Sequence, residues 1–127
     1  MYDYYFKEPG KKGEIRTSRY GERKYDKLGI KEYVGHAYLN HNLYAYFDDL
    51  GIKNRKTGRL YNCNLPSRSK FQNQIFGNLI IEKVSGQSSV DITESDIVLI
   101  ESILFEVPEN EWYTEEDVKK FWDNDKL

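Results

Sequence analysis

Apolar residues at helical spacing mark residues 94–106 as the clearest element of the chain. The stripe consists of Ile97, Ile100, Leu104 and Val107. This spacing is typical of a helix that buries one face. Thr93 with Asp96 three positions later predicts a capped helix start, and Pro108 predicts the stop. We therefore predict a helix over 94–106 at the centre of the core.

The same start pattern recurs further along the chain. Thr114 and Asp117 repeat the cap, and acidic residues follow Thr114 where they complement the positive end of a helix. Few apolar side chains follow: Val118, Phe121 and Trp122. We predict a short helix over 115–123 that lies over the core.

Two further helices are predicted upstream. Residues 36–50 carry five apolar side chains at helical spacing, and Gly51 would end that helix. The five are Leu39, Leu43, Tyr46, Phe47 and Leu50. Ser69 and Gln72 have the spacing of a capping box, which predicts a helix over 69–77. Residues 78–84 fit a helix or a buried strand equally well, so both alternatives stay open.

The remaining segments predict a hairpin and an arm. Residues 52–64 form two short extended stretches around a turn near Gly58. Residues 12–27 would have no apolar face as a helix, so we predict a basic, tyrosine-rich arm over residues 1–30 and a compact domain over 31–127. The predicted fold is a small single α+β domain, mainly helical, with a short β-hairpin and a basic N-terminal arm.

Length and composition narrow the class of protein. A chain of 127 residues fits one domain, and no apolar run reaches the length of a membrane helix. The first ten residues lack the apolar region of a secretory signal. The lone Cys63 excludes a disulfide framework and a cysteine-rich zinc site. We expect a cytoplasmic protein, in a bacterial cell or a virus-infected host cell, that does not act at a membrane.

Charge divides the chain into two halves. Residues 1–70 contain fifteen Lys and Arg against eight Asp and Glu, a balance of +7. Residues 71–127 contain four against thirteen, a balance of −9. Ten of the eleven tyrosines lie at or before Tyr61. Such a chain can attract an anionic partner with one half and a cationic partner with the other.

Signals of catalysis or metal binding are weak. On the predicted helix, His36 and His41 would lie about 140° apart, too far to share a ligand face. Cys63 could act as a nucleophile beside a histidine, but a lone cysteine is more often a small buried apolar residue. Phosphate-binding glycine loops and hydrolase motifs are absent from the sequence. We expect a protein that is not an enzyme and holds no metal or cofactor.

The basic half predicts a contact with nucleic acid or a nucleoprotein complex. Phosphates attract cations, and unpaired bases stack on flat aromatic rings. The candidate residues lie in the arm and at the hairpin tip. They are Lys12, Arg16, Arg19, Tyr20, Arg23, Lys27, Lys53, Arg55, Lys56 and Arg59.

The alternative is a stoichiometric protein-binding inhibitor or adaptor. Tyr and Arg are enriched at the energetic centres of protein interfaces, and an acidic half can oppose a basic protein. The acidic candidates are Glu109, Glu111, Glu115 and Glu116. A phage-encoded or mobile-element accessory protein that blocks a host nuclease belongs to this class.

Overall fold

An antiparallel sheet of six strands organises the protein. The computed structural model describes residues 1–30, 33–51, 60–66, 73–117 and 119–120. The strands are β1 (Asp3–Lys7), β2 (Glu14–Thr17), β3 (Val34–Tyr38), β4 (Leu43–Asp48), β5 (Tyr61–Asn64), β6 (Gln74–Phe76), β7 (Leu79–Ser85) and β8 (Ser88–Val90). The helices are α1 (Lys24–Leu28), α2 (Glu94–Ile103) and a 3₁₀ turn at Glu109–Glu111. The main sheet has the order β2-β1-β7-β4-β3, with β8 also paired to β7, and β5 pairs with β6 in a second sheet.

The principal core lies between one face of the main sheet and the elements α2, β5 and β6. The buried apolar residues of this cluster include Tyr5, Leu43, Ala45, Phe47, Cys63, Leu65, Ile75, Leu79, Ile81 and Ile100. Alternate residues of each strand point to this face, as the pleat of a strand requires. Asn62 is fully buried, and its amide donates to the carbonyl oxygens of Lys7 and Gly77 at 2.8 and 2.9 Å. These hydrogen bonds join the small sheet to the large one.

The prediction of a helix over 36–50 is wrong. The segment is the hairpin of β3 and β4, paired from Val34–Asp48 to Tyr38–Tyr44. Its turn consists of three consecutive residues with positive φ: Asn40 at 73°, His41 at 55° and Asn42 at 64°. A right-handed helix cannot contain such residues, whereas asparagine tolerates this conformation better than most side chains.

Gly35 fixes the close approach of the two strands. A Cβ atom at this position would lie 2.6 Å from Cε2 of Phe47 and 2.8 Å from Oδ1 of Asp49. The ring of Phe47 therefore occupies space that any other residue at position 35 would need.

Other segments for which a helix was predicted or left open are also strands. Gln74–Phe76, predicted as helix, is strand β6, and residues 67–72 lie outside the described residues. The open segment 78–84 is strand for nearly all its length. Residues 52–59 of the predicted hairpin lie outside the described residues, and Tyr61–Asn64 pairs with β6. The protein is mostly β, so the prediction of a mainly helical domain is wrong.

The predicted N-terminal arm is also part of this correction. Strand β1 lies inside the sheet, paired with β2 on one side and β7 on the other. Tyr4, Tyr5 and Phe6 are all buried. The segment predicted as an N-terminal arm thus supplies an interior strand of the sheet. The division of the chain at residue 30 stays a prediction.

The capped helix starts are confirmed by their hydrogen bonds. The backbone amide of Asp96 donates to Oγ1 of Thr93 at 3.3 Å, and the amide of Thr93 donates to the Asp96 carboxylate at 2.9 Å. The amide of Asp117 likewise donates to Oγ1 of Thr114. Helix α2 ends at Ile103, earlier than the predicted residue 106, because Phe105 pairs with Asn64 of β5 as an isolated bridge.

Ile100 provides the stability test of this core. Its side chain is fully buried, so we expect Ile100→Ala to lower the free energy of unfolding by about 2–5 kcal/mol through lost burial and a cavity. Val98 lies on the same helix and is 69% exposed. Val98→Ala is therefore the matched control and should change the free energy of unfolding by less than about 0.5 kcal/mol. Urea unfolding followed by circular dichroism measures both. Equal midpoints for the two variants would show that α2 does not close the core.

Candidate nucleic-acid interface

The second face of the main sheet is rich in aromatic residues. The strand register aligns Phe6 with Ile80, Tyr46 and His36, and aligns Glu82 with Tyr44 and Tyr38. Helix α1 contacts β7 and β4 on this face, where Leu28 packs in a cluster with Tyr4, Phe6 and Ile80, and Tyr46 of β4 packs against the same cluster. His36, Tyr38 and Tyr44 of β3 and β4 lie outside this cluster. One face thus has a closed half and an open half.

A buried charge cluster holds α1 on the closed half. Glu82 of β7 is fully buried, and its Oε2 accepts a hydrogen bond from the Tyr2 hydroxyl at 2.6 Å. Lys27 of α1 donates through Nζ to the same hydroxyl at 2.8 Å and lies 4.0 Å from Oε2. The Lys27 side chain is 1% exposed. Tyr2 therefore links a cation of the helix to an anion of the sheet.

Aromatic rings complete the environment of the two lysines. Nζ of Lys27 lies 4.8 Å from the ring centroid of Tyr2 and 4.6 Å from that of Tyr4. Nζ of Lys24 lies 3.5 Å from Oε1 of Glu82 and 4.5 Å from the ring centroid of Tyr46. Such positions above aromatic faces stabilise a cation that has lost part of its water. Two lysines around one carboxylate leave a formal charge of +1 in this cluster.

Burial and the carboxylate also act on the tyrosine hydroxyls. Burial raises the pKa of Tyr2, and the hydrogen bond to Glu82 raises it further. Burial raises the pKa of Tyr46, with a smaller contribution from the charge of Glu82. Both hydroxyls are therefore neutral hydrogen-bonding groups at physiological pH.

The open half presents aromatic side chains to solvent. Tyr38 is 53% exposed, His36 is exposed, and Tyr44 and Tyr46 are half-buried. The rings of the cross-strand pair Tyr38 and Tyr44 have centroids 4.9 Å apart and an interplanar angle of 45°. The Tyr38 hydroxyl accepts a hydrogen bond from the backbone amide of Asn42 at 3.4 Å, which ties this ring to the turn. We name these four residues the tyrosine platform.

The cations predicted from sequence in the N-terminal arm lie on several elements of the fold. Lys12 lies in the loop between β1 and β2, Arg16 lies on β2, and Arg19, Tyr20 and Arg23 lie between β2 and α1. Arg16 contacts Glu14 at 2.7 Å and lies 3.6 Å above the Phe6 ring. Lys27 is buried against Glu82, so it does not face a surface partner. Arg19, Tyr20 and Arg23 are exposed, and a role for them in binding stays a prediction.

The remaining candidates are the cations of the predicted hairpin tip and the four acidic residues. Lys53, Arg55, Lys56 and Arg59 lie outside the described residues. Glu109 and Glu111 lie on the 3₁₀ turn, and Glu115 and Glu116 lie in the helical turn after Thr114. All four glutamates are exposed.

The residues weighed for catalysis lie apart in the fold. His36 is on β3 and His41 is in the following turn, while Cys63 is buried in the core on the opposite face of the sheet. Burial raises the pKa of the Cys63 thiol to about 12, which keeps it neutral. Among the described residues, no three His, Cys, Asp or Glu side chains converge as metal ligands. In the same part of the chain, no helix is long and apolar enough to cross a membrane.

Sequence reasoning missed both the platform and Glu82. The alternation of Tyr44 and Tyr46 with Leu43, Ala45 and Phe47 is a period of two, and it marks a strand with one aromatic face. Glu82 carried no such signal, because a single acid among apolar residues does not reveal its partners.

Known proteins supply no functional assignment. No protein-family model, curated protein or solved structure matches this chain. Function must therefore be inferred from the geometry of the platform and its neighbours.

The contribution of the charge cluster to stability can be tested by substitution. We expect Lys27→Met to lower the free energy of unfolding by about 3 kcal/mol, because Glu82 stays buried without its one buried cation. The double variant Lys27→Met with Glu82→Gln should recover part of this loss, because no buried charge is then left uncompensated.

Lys11→Met is the matched control for this cycle. Lys11 pairs with Glu8 at 2.7 Å on the surface, with its side chain 72% exposed, so its loss should cost no more than about 1 kcal/mol. Chemical denaturation of the wild type, Lys27→Met, Glu82→Gln and the double variant measures the cycle, and Lys11→Met is measured beside them. If Lys27→Met and Lys11→Met unfold alike, the cluster does not hold α1 on the sheet.

Proposed function

We propose that the protein binds single-stranded nucleic acid, free or within a nucleoprotein complex, by stacking bases on the tyrosine platform. Binding is stoichiometric, without catalysis. The observation that carries this proposal is the open half of an aromatic sheet face, bordered by a lysine-bearing helix. The sequence alone favours the same class of partner through the basic half, and the exposed aromatic side chains of β3 and β4 support a contact there.

Stacking on the platform supports the binding of unpaired bases. Unpaired bases stack on Tyr and His side chains that project from a sheet, a contact that tolerates any base because every base has a π face. Tyr38 and Tyr44 lie in adjacent strands at a centroid distance of 4.9 Å. Tyr46 and His36 form the next cross-strand pair along the same two strands. The platform thus offers Tyr38, Tyr44 and His36 to successive bases, while Lys24 lies over the ring of Tyr46.

Cations beside the platform support contacts with phosphates. Lys24 lies above the Tyr46 ring, which places the start of α1 beside the platform. Arg23 directly precedes Lys24 and is exposed at the N-cap of α1. Phosphates that follow bases across the platform would meet these side chains. Each neutralised phosphate releases counterions, so affinity should fall as salt rises.

Stacking on the platform requires single strands. Bases in a duplex are stacked on each other and cannot reach tyrosine rings. Sequence preference should be weak, because stacking and phosphate contacts carry little sequence information.

A binding titration tests the proposal. Fluorescence anisotropy of labelled single-stranded DNA and RNA should show binding that weakens with salt, with duplex bound less tightly. Tyr38→Ala and Tyr44→Ala should each weaken binding by about 1–3 kcal/mol, the value of one base–aromatic stack. Arg23→Ala should flatten the slope of log affinity against log salt by about 0.7.

Phe105→Ala is the matched control, since Phe105 is an exposed aromatic residue that pairs with β5 on the opposite side of the sheet. It should bind like the wild type. Thermal melts exclude unfolding of each variant. Equal affinity of the wild type, Tyr38→Ala and Tyr44→Ala would overturn the platform.

The alternative inhibitor function gives a different outcome. The protein would then bind neither DNA nor RNA at low salt. A protein captured from host lysate after nuclease treatment would be lost when Glu109, Glu111, Glu115 and Glu116 are changed to Gln.

A further inference from the structure

We propose that strand β3 pairs with β3 of a second copy of this chain, in antiparallel register about a two-fold axis at His36. This pairing goes beyond the proposed function and does not depend on nucleic acid. Three features of β3 support the pairing: the direction of its backbone groups, the side chains that border them, and a register that pairs all of these groups.

The hydrogen-bond pattern shows which groups of β3 are unused. The amide of Leu39 donates to the carbonyl oxygen of Leu43 at 2.8 Å, and the amide of Asp49 donates to that of Tyr33 at 2.8 Å. In an antiparallel ladder, residues that bond one neighbour alternate with residues that point the other way. The backbone groups of Val34, His36 and Tyr38 therefore point outward, and no described strand pairs with them.

The side chains of β3 do not protect this edge. Natural sheets blunt exposed edges with lysine, proline, inward-pointing charges or bulges. The stretch Val34–Tyr38 contains no Lys, Arg, Asp, Glu or Pro, and its pairing with β4 is regular. The other edge of the sheet, β2, carries the charged residues Glu14 and Arg16. The two edges of one sheet thus differ in their readiness to pair.

One register satisfies every outward group. With the axis at His36, each His36 faces its counterpart, and each Val34 faces Tyr38 of the other copy. All three outward residues then form hydrogen-bonded pairs, with two bonds in each pair or about six in total. A shift by two residues would lose one of these pairs. A second copy fits because the required partner is an uncharged edge of the same length.

The pairing also enlarges the open face. Residues that oppose each other in a ladder point to the same side of the sheet, so both tyrosine platforms would lie on one side. The edge is only five residues long. Its contact area falls below the roughly 1,600 Å² of a standard interface, so we expect a weak dimer in rapid exchange.

Sedimentation velocity without nucleic acid tests the proposal. The sedimentation coefficient of the wild type should rise with concentration between about 10 µM and 1 mM, where weak association registers. His36→Lys should stay monomeric, because two lysines would face each other across the axis. Ile15→Lys, with the same charge at the β2 edge, is the matched control and should associate like the wild type.

Disulfide cross-linking tests the register of the paired β3 strands. Under mild oxidation His36→Cys should form a disulfide-linked dimer, since opposed residues of a ladder lie within reach of a disulfide. Ile15→Cys should not, and Cys63 is buried in both variants. A wild type that stays monomeric to 1 mM, or a dimer that His36→Lys leaves intact, would overturn the proposal. Failure here leaves the single-copy platform untouched, so the two proposals fail separately.

Discussion

The contact among Glu82, Tyr2 and Lys27 decides which surface of the protein stays open. Burying a carboxylate and an ammonium together costs desolvation energy that their attraction offsets only with good geometry. Here the Tyr2 hydroxyl supplies that geometry by accepting from Lys27 and donating to Glu82. The cluster holds α1 against β7 and β4 and leaves His36 and Tyr38 of β3 exposed on the same face. A shift of α1 across the sheet would separate both charges from their partners.

The cluster also explains how a chain with a basic and an acidic half folds into one unit. Strand β7 comes from the acidic half, yet it lies between β1 and β4 of the basic half. Glu82 is the acid of β7 that meets Lys24 and Lys27 directly. Part of the charge division seen along the sequence is thus neutralised within the sheet. The exposed acids of the 3₁₀ turn and the last helical turn remain separate from the platform in sequence and in the fold.

Short sequence patterns correctly predicted the features that depend on contacts between residues close in sequence. The caps at Thr93 and Thr114 are hydrogen bonds within one turn, so their residues reveal them directly. Leu43 and Phe47 misled because a spacing of four residues keeps two side chains on one face of a helix and of a strand. Ala45, buried between them, breaks the helical pattern and keeps the strand pattern. The partner of Lys27 is 55 positions away in sequence, so no local pattern could distinguish a buried lysine from an exposed one.

The tyrosine platform is the central claim, and NMR of tyrosine-labelled protein tests it most directly. Titration with a short single-stranded oligonucleotide should shift the aromatic resonances of Tyr38 and Tyr44, because ring currents of stacked bases act over a few ångströms. The resonances of Tyr4, buried under α1, and Tyr5, buried in the principal core, should stay in place. Saturation that leaves Tyr38 and Tyr44 unmoved while other residues respond would contradict the account.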